Sequence, residues 1–114
     1  MYNIDFILKV KLFVEIVESE IELKFKPRFS FPEKIILAGD NCYGLWNCDT
    51  KKGKHYHKID IALSMVESDE MLFTTIAHEY VHCWQMECDL ERDHDNESFL
   101  LWTEYFNLVY GVEL

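Results

Sequence analysis

The chain has 114 residues, of which 49% are apolar, and its formal net charge is −10. This length and composition are typical of one domain, residues 1–114, with a single hydrophobic core. No segment approaches the ~20 consecutive apolar residues of a membrane-spanning helix, and the charged amino-terminal stretch has no small-residue cleavage site of a signal peptide. We therefore expect no membrane span and a protein of the cytoplasm, or of the host cytoplasm if the chain is viral.

The charges are distributed unevenly along the chain. Residues 59–114 carry thirteen acids and one base, Arg92, whereas residues 51–58, KKGKHYHK, carry four lysines and no acid. Nucleic-acid affinity rests largely on cationic contacts to phosphates, so the acidic body argues against broad nucleic-acid binding. Residues 51–58 are the one stretch that could touch nucleic acid, and we favour a solvated hairpin tip there.

The first third of the chain predicts a helix and then a less regular segment. Residues 3–18 fit both the apolar face of a helix and the alternation of a strand, and their length favours a helix. Residues 20–26 alternate apolar and charged side chains, which indicates a strand or a frayed continuation of that helix. Pro27 and Pro32 then predict a loop.

The middle of the chain predicts a β-hairpin. Residues 43–49 and residues 56–64 read as two strands, and Gly53 is the turn residue of the connection between them. Ile59 and Ile61 share one face of the second strand with Leu63.

Two helices are predicted after the hairpin. Ser68 or Asp69 can cap a helix of about five turns that continues to residue 87. Its apolar side chains available to a core are Met71, Leu72, Ile76, Val81 and Trp84. A polar connection follows, and Asn96 or Asp95 can cap a last helix that ends at Gly111. The order of helix, strands, helix and helix predicts the α+β class, with a small mixed or antiparallel sheet.

The first of these two helices contains the pattern His-Glu-x-x-His. On a helix, His78 and His82 lie one turn apart on the same face, so their imidazoles can bind one metal ion. Two neutral imidazoles and a third ligand leave a fourth zinc position for water, whose pKa the metal lowers toward ~7. Glu79 lies next to that open position and is expected to take the proton of the water as general base. We therefore predict a Zn(II) site that hydrolyses peptide bonds, although Mn, Co or Ni would also be held.

Several residues could supply the third ligand. His94 is the preferred candidate because histidine is the better neutral ligand and follows His82 by twelve residues. The sixth residue after His82 is Cys88, which excludes the ligand spacing of metzincins. Carboxylates remain as alternatives, from either the connection or the last helix: Asp93, Asp95, Glu97 and Glu104.

Residues 35–102 resemble the SprT-like zinc metallopeptidase family, which includes bacterial SprT proteins and eukaryotic Spartan proteases. The resemblance lies in four segments: IILAGDNCYG, KIDIALSM, DEMLFTTIAHEYVHCWQ and HDNESFLLW. It implies a zincin-like fold, metal binding by His78, His82 and His94, and catalysis by Glu79. Asp95 stands where the family usually has glycine. The family's zinc ribbon and DNA-binding tail are not expected here, so a role in DNA repair is not implied.

The metallopeptidase is expected to act on a protein or peptide substrate. In zincins the edge strand binds the substrate backbone by strand addition, which would place residues 59–64 opposite the substrate. Two alternatives remain: a non-catalytic, metal-stabilised module that binds or inhibits a partner, and a DNA-associated protease directed by residues 51–58. We also expect His55 and His57 to be exposed on the hairpin, and the four cysteines to be reduced thiols.

Overall fold

Three helices and five short strands make up residues 4–114, the part of the chain that the computed structural model describes. In chain order they are α1 (Ile4–Glu20), β1 (Arg28–Ser30), β2 (Ile36–Leu37), β3 (Asp40–Asn41), β4 (Gly44–Lys51), β5 (Lys54–Ile61), a short 3-10 helix (Leu63–Met65), α2 (Asp69–Glu87) and α3 (Glu97–Tyr110). The predicted α+β class is confirmed. Residue 3, the first position of the predicted helix, lies outside the described residues.

The β4–β5 hairpin forms where the sequence predicts it. Its two-residue turn is Lys52-Gly53, with φ angles of 52° and 78°. Positive φ at both positions is typical of a type I′ turn, whose twist matches that of the flanking strands. Ile59 and Ile61 are fully buried on the inner face of β5, while the third predicted member of that face, Leu63, lies in the 3-10 helix.

The position of β5 in the sheet differs from the prediction. The strand order is β1-β5-β4, so β5 is the central strand. Ile59 pairs with Phe29 of β1 in parallel and with Trp46 of β4 in antiparallel orientation. The prediction that residues 59–64 form an open edge is therefore wrong, because β1 covers β5. Among residues 4–114, the free edge on the opposite side of the sheet belongs to β4.

The segment between α1 and β1 is not the predicted strand. The amide of Ile21 donates to the carbonyl of Val17, which extends the helical bonding by one residue. The amides of Lys24 and Phe25 then donate to the carboxylate of Glu87 on α2, at 2.6 and 2.9 Å. Because these two amides bond a side chain and not a neighbouring strand, residues 20–26 form no strand. The segment between Pro27 and Pro32, which was predicted to be a loop, contains β1 instead.

Helix α2 lies at the centre of the fold. Eleven of its 19 residues are buried, because α1, the sheet and α3 pack around it. Leu72, Ile76 and Val81 belong to the predicted core and are buried, whereas Met71 and Trp84 are half-buried. A helix covered on most sides can hold polar residues only where they find partners or a function.

The helix ends confirm the predicted caps. The hydroxyl of Ser68 accepts from the amide of Met71 at the start of α2, and the side chain of Asn96 accepts from the amide of Ser98 at the start of α3. Gly111 ends α3 with a φ of 71°, in the left-handed region. Within residues 4–114, no helix combines the length and apolarity that crossing a membrane requires.

Candidate metal centre

Three histidine nitrogens converge at the carboxyl half of α2. The Nε2 atom of His94 lies 3.1 Å from Nε2 of His78 and 2.9 Å from Nε2 of His82. Two nitrogens bound to one tetrahedral zinc at about 2.0–2.1 Å would be about 3.3 Å apart. The group His78, His82 and His94 could therefore hold a metal ion, as predicted, with little rearrangement.

The protonation of this group suits a cation. Burial, and then the proximity of His82 and His94, lower the pKa of His78 to about 3. Burial also lowers the pKa of His82, although a hydrogen bond to Gln85 opposes this. Both rings are thus neutral at pH 7, the form in which imidazole binds metals. Because one ring nitrogen carries at most one proton, His94 Nε2 cannot donate to both of its neighbours at once, and a bound cation would remove that conflict.

Aromatic side chains hold the three imidazoles in place. Phe99 of α3 is 3% exposed, and its ring centroid lies 4.9 Å from that of His78, 5.3 Å from that of His82 and 5.0 Å from that of His94. The ring centroid of Trp46 on β4 lies 6.2 Å from that of His82. The ring of His82 is therefore packed between α3 and the sheet, while the exposed ring of His94 is held from one side by Phe99.

The second ring nitrogen of His82 has its own partner. His82 Nδ1 and Gln85 Oε1 are 3.0 Å apart, and Gln85 is fully buried. A partner of this kind orients a ligand ring and keeps the other nitrogen available to the metal. Gln85 is the last residue of the segment DEMLFTTIAHEYVHCWQ, and its position three residues after His82 puts both side chains on one face of the helix.

Glu79 lies beside the histidines in a closely packed pocket. Its side chain is buried, no donor among residues 4–114 bonds its carboxyl group, and desolvation raises its pKa to about 8. Gly44, the first residue of β4, makes room for it, since a Cβ atom there would lie 3.1 Å from Glu79 Oε2. A cleft of about 780 Å³ is lined by Tyr43, Gly44, His78 and Glu79, among others.

The carboxylate alternatives for the third ligand do not join the group. Among the described residues, the cluster with metal-ligand spacing contains histidines only. Asp93 Oδ1 accepts from the amide of Asp95, so it shapes the loop instead. Asp95 is not among the residues with positive φ, so its backbone needs no glycine. Glu97 and Glu104 are exposed on α3.

The predicted exposure of the hairpin histidines is wrong for His57. This side chain is 1% exposed because it points toward α2. The indole of Trp46 donates to His57 Nδ1 at 3.1 Å, and His57 Nε2 lies 3.0 Å from Glu87 Oε2. His55 is half-buried and bonds Thr50. No second cluster with metal-ligand spacing exists among residues 4–114, and the two histidines serve packing.

The cysteines are all free, as expected. Cys83 is fully buried in the core, and desolvation raises the pKa of its thiol. A neutral buried thiol is a poor nucleophile, so Cys83 contributes packing and no chemistry.

Comparison with known proteins identifies no relative. No protein-family model, curated protein or solved structure matches this chain.

Proposed function

We propose that this protein is a zinc-dependent metallopeptidase of zincin-like architecture, similar to the SprT-like family, that hydrolyses peptide bonds in a protein or peptide substrate. The observation that carries the proposal is the convergence of three Nε2 atoms beside a buried carboxyl group in one cleft. Glu79 is 5% exposed, and desolvation raises its pKa; a helix with a purely structural role gains nothing from the free-energy cost of that burial.

Zinc is the metal that this ligand set fits best. Catalytic zinc sites use three protein ligands and keep a fourth position open, and three neutral imidazoles are one such set. When bound, zinc would polarise the substrate carbonyl and lower the pKa of water toward ~7.

The residues of the chain would divide the remaining work. His78, His82 and His94 would hold the ion. Burial raises the pKa of Glu79 to about 8 in the metal-free protein, and a cation beside the carboxyl group would lower that pKa, so that Glu79 in its carboxylate form takes a proton from water in the cleft. Glu79 then gives that proton to the leaving amine, since the same group serves as base and acid in successive steps.

The free edge of β4 is the candidate surface for the substrate backbone. Tyr43 and Gly44, where β4 begins, line the same cleft as His78 and Glu79. An extended peptide paired with this edge would run past the metal ligands and would satisfy backbone groups that have no strand partner among residues 4–114. β4 thus takes the role that the sequence assigned to residues 59–64.

The test is hydrolysis of a fluorescence-quenched peptide mixture by protein loaded with one equivalent of zinc. Glu79→Gln should keep the zinc and lower hydrolysis by at least about 10²-fold, the usual contribution of a general base. Glu70→Gln is the matched control, because Glu70 lines the same cleft from the same helix but is exposed. Equal activity of wild type and Glu79→Gln would refute the assigned role. Zinc binding with no hydrolysis would favour the non-catalytic binding or inhibitory module.

One observation supports DNA association as a second function. The sheet register places Arg28 directly opposite Lys58, and Lys51 opposite Lys54, so a fifth cation joins residues 51–58 on the outer face. Like charges in opposite positions destabilise a sheet. Asp60 already offsets the charge of Lys58 at 3.7 Å, and a bound polyanion would offset that of the pair Lys51 and Lys54. Retention on a single-stranded DNA column that falls with salt would support this function, and no retention at low salt would exclude it.

A further inference from the structure

A continuous chain of hydrogen bonds connects the metal ligand His82 to the N-cap residue of α3. It runs from His82 Nδ1 to Gln85 Oε1 at 3.0 Å, from Gln85 Nε2 to Ser98 Oγ at 3.1 Å, and from Ser98 Oγ to Asn96 Oδ1 at 2.6 Å. We propose that Asn96, the N-cap of α3, determines through this chain which nitrogen of His82 carries the proton. The proposal rests on the metal site of the proposed function.

The direction of the chain is fixed at its Asn96 end. The backbone amide of Ser98 lies 2.9 Å from Asn96 Oδ1 and can only donate. The atom that it meets must therefore be the side-chain oxygen of Asn96, which can only accept. This assignment depends on a backbone amide, which has neither a second tautomer nor a flipped orientation.

Each following bond is then determined in turn. The hydroxyl of Ser98 has one proton, and it must donate this proton to Asn96 Oδ1 because that oxygen cannot donate. The Ser98 oxygen is consequently an acceptor toward Gln85, so the NH₂ group of Gln85 faces Ser98 and its carbonyl oxygen faces His82. That oxygen requires a proton on His82 Nδ1, which leaves the lone pair of the neutral ring on Nε2.

The lone pair produced in this way lies where the metal site needs it. His82 Nε2 is the atom that approaches His94, at 2.9 Å. The opposite tautomer would place a proton on that atom and could not bind the ion. Water cannot replace the chain, because Gln85 is fully buried and His82 is 7% exposed.

The same N-cap also serves the rest of the ligand set. Asn96 follows His94 by two residues and begins the helix that carries Phe99, whose ring contacts all three imidazoles. The start of α3 therefore sets both the packing of the ligands and the tautomer of one of them. Gln85, Ser98 and Asn96 are positioning residues, because each acts on the ion through His82.

The test is nitrogen-15 NMR of the imidazole rings in metal-free protein at pH 7.5, where His82 is neutral. Wild type should show one tautomer of His82, with the proton on Nδ1. Ser98→Ala removes the central link and should give a mixture of both tautomers, and Gln85→Met should do the same. Zinc affinity, measured by chelator competition, should fall by about 10–100-fold in both variants, as is usual when a partner of a ligand is lost.

One control separates this effect from a general loss of structure. Thr103→Val removes a different α3 hydrogen bond, the one from Thr103 Oγ1 to the carbonyl of Phe99, and should leave both readouts unchanged.

A proton on His82 Nε2 in wild type would overturn the proposal, and so would an unchanged tautomer in Ser98→Ala. If Gln85→Met does not fold, Ser98→Ala alone decides, since Ser98 is only half-buried. The tautomer is read without metal or substrate, so a protein that hydrolyses nothing can still confirm the chain. A protein with the expected tautomer and no zinc binding would refute the metal site only.

Discussion

The close approach of β4 to α2 at Gly44 leads to a quantitative prediction for Gly44→Ala. A Cβ atom at this position would lie 2.8 Å from Thr75 Cγ2, 3.1 Å from Glu79 Oε2 and 3.2 Å from the carbonyl oxygen of Asp60. Carbon atoms in contact are normally about 3.5–4.0 Å apart, so strand and helix must separate by roughly 0.7 Å or more. The backbone of Gly44 does not have positive φ, so the substitution tests space and not conformation.

The expected loss of stability follows from this overlap. Overpacking of a core typically costs about 1–3 kcal/mol. For a chain of 114 residues, a loss of about 2 kcal/mol corresponds to a fall in Tm of ~8 °C. Hydrolysis should fall further, by about 10²-fold, because a displacement near 1 Å at a reacting group has that effect. Zinc content should not change, since the three atoms nearest to the added methyl group belong to no ligand histidine.

Thr75→Ser provides the matched second variant. It removes the Cγ2 methyl group that would clash and keeps the hydroxyl that bonds the Met71 carbonyl. In the double variant Tm should recover by several degrees relative to Gly44→Ala, a coupling that a double-mutant cycle measures. Hydrolysis should stay low, because the contact with Glu79 remains. Gly44→Ala with wild-type Tm and activity would show that the strand does not approach the helix as closely as described.

Two further predictions concern the histidines. His94→Ala should lower zinc affinity by more than about 100-fold, since the loss of a residue that only hydrogen-bonds a ligand already costs about 10–100-fold. Asp95→Asn is the control and should leave zinc affinity unchanged. Chelator competition measures the affinity of both variants, and wild-type affinity in His94→Ala would exclude His94 as a ligand. Burial lowers the pKa of His57 below 6.5 in the folded protein. As the pH falls below 6.5, the imidazole is therefore protonated in the unfolded chain before it is protonated in the folded protein. The free energy of unfolding is highest above pH 6.5 and decreases as the pH falls below that value. Urea unfolding of metal-free protein between pH 5 and 8 measures this effect. The free energy of unfolding should depend less steeply on pH in His57→Gln than in wild type, by up to about 1.4 kcal/mol per pH unit. Identical pH dependence in the two proteins would contradict a neutral, buried His57.

The features that the sequence predicts well are those that depend on near neighbours. The two helix caps, the turn at Gly53 and the shared face of His78 and His82 each follow from spacing within one or two turns of chain. The proximity of His94 was predicted from residue chemistry, and the structure brings it to the other two histidines.

The features that the sequence does not predict depend on distant partners. The three-residue strand β1 has too short a pattern to recognise, and it becomes a strand only by pairing with β5. Without β1, residues 59–64 look like an edge strand, whereas β5 is the central strand of the sheet. His57 looks like an exposed hairpin residue because its partner Glu87 lies 30 residues away.

The contacts of Glu87 also have a consequence for the order of folding. This one carboxylate receives the amides of Lys24 and Phe25, across 63 and 62 residues of chain, as well as the imidazole of His57. The connection between α1 and β1 has no ladder of its own, so it cannot become fixed before the end of α2 has formed. Contacts with such large sequence separation require long loops to close first, which slows folding. The amino-terminal third of the chain is therefore expected to reach its final place late, although it is synthesised first.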